Sequence, residues 1–170
     1  AEQSYLRASA IDRPAHDTDD AGYAADLLNM AALSQETGGI NDAYTNLGTA
    51  RTILSKQVPA DQATSAILAA DLARLLKQEG RLLEAEPLYL KSLHLTALAF
   101  GSNHPDSISV LNDLAQLSLE KGDEVQALKY ADKSFQLSRS AFSQSGPQYA
   151  RATLSYASML IRLNRVTQAR

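Results

Sequence analysis

Gly38, Gly80 and Gly122 stand 42 residues apart, and Asn164 takes the next place in the same series. Gly and Asn are the residues that best tolerate the left-handed conformation closing an α-helix. Other columns keep step with these turn markers. Seven places before each lie Ala31, Ala73, Ala115 and Ala157; five after lie Ala43, Ala85, Ala127 and Ala169; twelve after lie Ala50, Ser92 and Ser134. Small side chains at fixed places let two helices approach closely where they cross. Larger apolar residues fill neighbouring columns: Met30, Leu72, Leu114 and Tyr156 eight before the marker, Leu47 and Tyr89 nine after. The unit is therefore a helix, a tight turn and a second antiparallel helix, and stacking such units buries a continuous core.

Composition agrees with helices. Of 170 residues 28 are Ala and 26 Leu, against ten Val and Ile together. Unbranched side chains favour helix and β-branched ones favour sheet, which argues against a β-sandwich or barrel. No apolar run approaches the ~18 residues of a membrane span, and no basic-then-apolar leader opens the chain, so no membrane contact is expected. Cysteine is absent, which excludes disulfides, thiolate nucleophiles and cysteine-ligated zinc but leaves the compartment open. Sixteen basic and 19 acidic residues give a net charge of -3. Duplex-binding proteins carry a basic surplus, so nucleic acid is not an expected partner. Tryptophan is missing and aromatics make up 6% of the chain; no cofactor is expected.

The columns and the chain breakers predict helices near 22–37, 40–57, 62–79, 82–100, 107–121, 124–142 and 148–163, with a partial helix over 2–12 and a stub from 165. Pro14 ends the first, since the residue before proline resists the helical region. Asp17-Thr18-Asp19-Asp20-Ala21-Gly22 reads as a loop. Pro87 falls inside a predicted helix, in its first turn or two, where a missing amide costs little.

The stretch Gly80-Arg81-Leu82-Leu83-Glu84-Ala85-Glu86-Pro87-Leu88-Tyr89, followed by Phe100-Gly101-Ser102-Asn103-His104-Pro105-Asp106, resembles the 42-residue tetratricopeptide repeat of kinesin light chain and its bacterial relatives. Ala1 to Ala8 reads as the same second-helix segment as Ala85 to Ser92, two periods earlier. The resemblance covers essentially the whole chain. It is best over 62–106 and 107–147, looser over 22–61, where Pro59 stands ahead of the Pro105 and Pro147 column, and cut short over 148–170. It implies an all-α solenoid, a right-handed superhelix of antiparallel helix pairs. About three full repeats are expected with partial repeats at both ends, residues 1–21 supplying a second helix and a loop. Ala1 and Ala169 share a column inside the second helix, so the chain starts and stops in mid-helix without the polar caps that seal a solenoid. It reads as a piece of a longer array; a mature N-terminus left by signal removal is the alternative.

Several suggestive motifs dissolve into the repeat. His104-Pro105-Asp106 spells the loop tripeptide of a J-domain, but Gly146-Pro147-Gln148 holds the same columns one period later. An inter-repeat turn explains both. Asp17, Asp19, Asp20 and Gly22 begin like a calcium loop, yet Ala21 and Leu28 stand where the fifth and twelfth ligands belong. An acidic loop that favours the next helix start explains them better. His16, His94 and His104 are spread along the chain without a helical partner three or four residues away, so no metal site is expected. Gly38-Gly39 lacks the Lys-Ser/Thr of a phosphate loop, and no serine sits in a nucleophile elbow. No catalytic residue emerges, and the chain is not expected to be an enzyme.

The resemblance implies a concave groove, lined by the first helices, that holds an extended peptide or a partner helix. Counting back from the turn markers by nine gives Asn29, Asp71, Asp113 and Ser155; by ten, Asn112; by six, Arg74 and Gln116; by thirteen, Arg151. These eight are the candidate partner-binding residues, and solvated polar positions without a ligand are the alternative reading of each. Kinesin-light-chain repeats often carry two asparagines at the ten and nine places, whose amides clamp a peptide backbone. Only Asn112-Asp113 approaches that pair, and Asn29 keeps half of it. The carboxylate clamp of chaperone-binding repeats needs several basic groups, whereas this groove offers chiefly Arg74 and Arg151, so that activity is not carried over.

Charge is graded along the chain. Residues 1–30 hold six acidic and two basic groups, residues 31–132 thirteen and eight, and residues 133–170 six basic groups with no Asp or Glu. A solenoid stacks its units in order, so the gradient becomes spatial. An acidic partner is expected toward the C-terminal units, and it could be the acidic end of another copy in head-to-tail self-association. Two functions follow: a protein-interaction scaffold with a peptide in its groove, or a regulatory segment of a larger signalling protein or enzyme with intramolecular contacts.

Overall fold

The computed structural model describes residues 20–57, 61–142 and 146–162. Seven helices and no strand occur among them: α1 (Asp20–Thr37), α2 (Ile40–Leu54), α3 (Gln62–Gln78), α4 (Leu82–Phe100), α5 (Ser107–Glu120), α6 (Glu124–Ala141) and α7 (Pro147–Arg162). Their order matches the expected series, and the differences are at the ends. Asp20 and Ala21, expected in a loop, already belong to α1. At the end of α2, Lys56 N–H donates to Ile53 O at 3.0 Å and Gln57 N–H to Leu54 O at 3.3 Å. These shorter i to i−3 bonds tighten the last turn and end the α-helix before residue 57. Pro147 opens α7, a position where the missing amide has no intrahelical partner to lose. The helix expected over 2–12, the Asp17–Asp19 loop, Asn164, Ala169 and the stub from 165 lie outside the described residues.

Each hairpin turns on the same device. Gly38, Gly80 and Gly122 have φ of 82°, 75° and 80°. Gly80 N–H donates to Lys77 O at 2.9 Å and Arg81 N–H to Leu76 O at 2.9 Å; Gly122 to Leu119 and Asp123 to Ser118 repeat the pattern. This is the paired-bond helix ending that needs a left-handed residue, so glycine at the 42-residue step is a geometric requirement. Asp61 and Asp123 cap the next helices, accepting from Thr64 N–H at 3.1 Å and Gln126 N–H at 3.0 Å.

The small-residue columns form the core. Ala31, Ala73, Ala115, Ala43, Ala85, Ala127, Ala50 and Ser134 have no exposed surface. Ser134 keeps its hydroxyl satisfied by donating to Ile108 O at 3.4 Å. Ala157 is only half-buried. The backbones of the first helices α1, α3, α5 and α7 approach one another in succession, while those of the second helices α2, α4 and α6 stay farther apart. The array therefore curves toward its first helices, which form the inner face.

A second tie recurs on the turns. Tyr44 Oη donates to Glu79 at 2.9 Å, and Lys121 Nζ pairs with Glu86. Positions 44 and 86, and 79 and 121, are each one period apart. The contact geometry is kept while the chemistry changes.

Candidate functional site

Two ionic bridges join α3 to α5 across the inner face. Arg74 Nη1 lies 2.5 Å from Asp71 Oδ1 on its own helix, and its Nε donates to Asp113 Oδ2 on α5 at 3.3 Å. Lys77 Nζ stands 3.8 Å from Glu120 Oε1. Asp71 is buried; desolvation raises its carboxyl above the usual range while Arg74 pulls it back. Desolvation also opposes charge on Arg74, but Asp71 and Asp113 outweigh it and hold the guanidinium above its ordinary value. Arg74 is thus committed to the fold. Counted from sequence as one of two basic groups of the groove, it is neutralised because the 71 and 113 carboxylates converge on it.

One period later both bridges lapse. The places of Arg74 and Asp113 are taken by Gln116 and Ser155, and those of Lys77 and Glu120 by Leu119 and Arg162. Neither pair can form an ion pair. Between α5 and α7 lies an open cavity of about 340 Å³, lined by Asn112, Asp113, Gln116 and Leu119 from one wall and Arg151, Ser155, Ser158, Met159 and Arg162 from the other. Five of the eight candidate residues meet here: Asn112, Asp113, Gln116, Arg151 and Ser155. Asp71 and Arg74 line a separate hollow of about 310 Å³ against α3 and α4. Asn29 is exposed on α1 and lines neither cavity.

Neighbouring hollows share wall residues along α5 and at Arg151 of α7. A third, of about 310 Å³, shares Asp106 and Ser109 with the α3 hollow and Asn112 and Arg151 with the α5–α7 cavity. On α7 the stripe Arg151, Ser155, Ser158, Arg162 follows the i, i+4, i+7, i+11 pattern of one helix face. Arg151 and Arg162 are exposed, and neither is ion-paired among the described residues. Asn112 Oδ1 is buried without a hydrogen-bond partner. Flipping that amide exchanges Oδ1 and Nδ2, so Asn112 can present either a donor or an acceptor to the furrow.

The candidates from column counting leave out three wall residues of this cavity, Leu119, Ser158 and Met159, and Arg162 entered only as part of the charge gradient. The signal for Arg162 was available: it lies 11 residues after Arg151, three turns along the same face. His104, Pro105 and Asp106 lie in the turn between α4 and α5, with the His104 ring stacked on Phe100 at 4.5 Å. Among the described residues no group of three potential metal ligands gathers, and no helix is long and apolar enough to cross a membrane.

Residues 63–140 match the family of the tetratricopeptide repeat. That stretch, 78 of the 170 residues, is similar to the tetratricopeptide repeat. That match runs from α3 through α6 of the repeat array. Among solved structures, BtubC (BKLC) from P. vanneervenii is similar, with a TM-score of 0.84 and 17% identity over 99% of this chain and 67% of that one. Two structures of the nearly identical TPR-like repeats of a Podosopora anserina protein described as a kinesin light chain also align over 99% of this chain. Their TM-scores are 0.72 and 0.68, with 16% and 17% identity over 79% and 80% of their lengths. None of the curated protein sequences matches this chain at a significant level. The likeness to the solved structures establishes the solenoid fold, and repeats of this family serve in general as protein-interaction modules rather than catalysts.

Proposed function

We propose that this protein is an interaction scaffold whose inner furrow between α5 and α7 holds an extended, acidic segment of another protein. The observation that carries this reading is the lapse of the two α3–α5 ionic bridges one period later. Where Arg74 and Lys77 tie neighbouring helices together, Gln116 and Leu119 leave the wall open and Arg162 without an ion pair among the described residues, while Asp113 of the same wall is held by Arg74.

Arg151 and Arg162 sit on one face of α7, about 16 Å apart along its axis at 1.5 Å per residue. An extended chain advances about 3.3 Å per residue, so it spans that distance in roughly five residues. The furrow therefore suits a segment with carboxylates four to five positions apart, its backbone amides meeting Asn112 and Gln116. Helix-borne polar groups are ordered before the ligand arrives, so little affinity is lost in arranging the receptor. A second copy, offering its acidic N-terminal residues, is one such ligand.

Fluorescence anisotropy with a labelled six-residue peptide carrying Asp at both ends tests this. Affinity falls with rising salt, and Arg151→Glu with Arg162→Glu weakens binding roughly tenfold or more. Salt-insensitive binding, or a loss that follows Arg74 rather than the α7 arginines, refutes it.

A further inference from the structure

The outer face carries a second irregularity in the repeat. Between α2, α3 and α4 lies a notch of about 280 Å³. Its floor is apolar, formed chiefly by Leu54, Leu68, Ala69, Leu72 and Leu88, and its rim carries Arg51 and Lys91. Both cations are exposed, and neither is ion-paired among the described residues.

Comparison with the next repeat explains why the notch exists. One period on, Arg51, Ala69 and Leu88 are replaced by Leu93, Leu111 and Tyr130. Those three pack in a single apolar cluster, with Leu111 fully buried. The larger side chains fill from within the space that Ala69 leaves open. Replacing leucine by alanine in a packed interior leaves a void that costs stability unless something else occupies it.

We infer that this outer notch is a second docking site, independent of the inner furrow, for an acidic segment of another protein that inserts one leucine or phenylalanine side chain. The apolar floor takes the inserted side chain, and Arg51 and Lys91 pair with flanking carboxylates. Charge complementarity selects that partner: the rim holds two cations and no acid. With both faces occupied, the repeat array bridges two acidic partners.

The test is a methyl NMR titration of the full chain with the capped peptide Asp-Glu-Leu-Leu-Asp-Glu, against its Lys-substituted counterpart. The acidic peptide shifts the Ala69 and Leu72 methyl signals, and the basic one does not. Ala69→Leu, which installs the side chain of the next repeat, weakens the binding read from the Leu72 methyl signals roughly tenfold. Should that variant fail to fold, Arg51→Glu with Lys91→Glu provides the same loss without touching the floor. Arg151→Glu with Arg162→Glu leaves the notch shifts intact, so the furrow and the notch fail or survive separately. Shifts confined to α5 and α7, or an equal response to the basic peptide, overturn the inference.

Discussion

Arg74 on α3 reaches Asp113 on α5 across 3.3 Å, and the residues at the same two places one period later are Gln116 and Ser155. The α1–α3 junction carries Ala32 with Asp71 and Gln35 with Gln78 at the same places, so the two ion pairs belong to the α3–α5 junction alone, and the α5–α7 wall stands without them beside an open cavity. The same comparison isolates the outer notch, where Ala69 replaces the packing supplied by Leu111.

Removing Arg74 leaves Asp71 buried beside a second carboxylate. Arg74→Met is expected to destabilise the fold by about 1–3 kcal/mol, less than a fully buried pair because the guanidinium is 37% exposed. The double variant Arg74→Met with Asp71→Asn recovers part of that loss, since the uncompensated charge is gone. Urea unfolding of the two variants measures the difference.

Two aspartates give opposite pH slopes. The side-chain hydrogen bond from Thr64 holds Asp61 below its usual pKa. Its contribution is therefore complete above the unfolded value and fades as pH falls through the folded one. Asp71 is raised by burial, so its relative contribution is complete below the unfolded value and fades as pH rises through the folded one. Wild type minus Asp61→Ala should grow from near zero to about 1 kcal/mol on going up in pH. Wild type minus Asp71→Asn should shrink over the same window. Urea melts between about pH 3 and 6 resolve the two slopes.

Glycine chemistry separates turn from helix. Gly80 has φ of 75° with no atom within 4 Å of an added Cβ. Gly80→Ala is thus destabilising by about 1 kcal/mol through backbone conformation alone. Gly48 lies inside α2, also with open space around it. Gly48→Ala is expected to stabilise by roughly 0.5–1 kcal/mol. Thermal unfolding with opposite shifts in Tm checks both.

Close packing at the small columns is equally testable. Ala115 has no exposed surface where α5 meets its neighbours, so Ala115→Leu should cost about 1–3 kcal/mol by overpacking. Ala157 is half-buried, and Ala157→Leu should cost less. Chemical unfolding of the pair ranks them.

The helices and core were legible because their causes are local and repeated. A left-handed turn requires Gly38, Gly80 and Gly122, and close crossings require Ala31, Ala73 and Ala115; both requirements leave a mark at every period. The site was legible only in outline. Column counting gathers Asn112, Gln116, Arg151 and Ser155 on one face, yet whether Arg74 is free depends on Asp113, 39 residues away. That pairing is tertiary and occurs once, so no periodic signal carries it. The openness of the α5–α7 wall is likewise a missing contact, visible only beside the junction that keeps it.

The most direct measurement restores that contact. Gln116→Arg with Ser155→Asp copies the Arg74–Asp113 pair into the α5–α7 junction and adds no net charge. The account predicts that the double variant folds as the wild type does, keeps Arg151 and Arg162, and loses binding of the acidic peptide in anisotropy titrations. Undiminished binding by the double variant would contradict the claim that this furrow is where the partner lies.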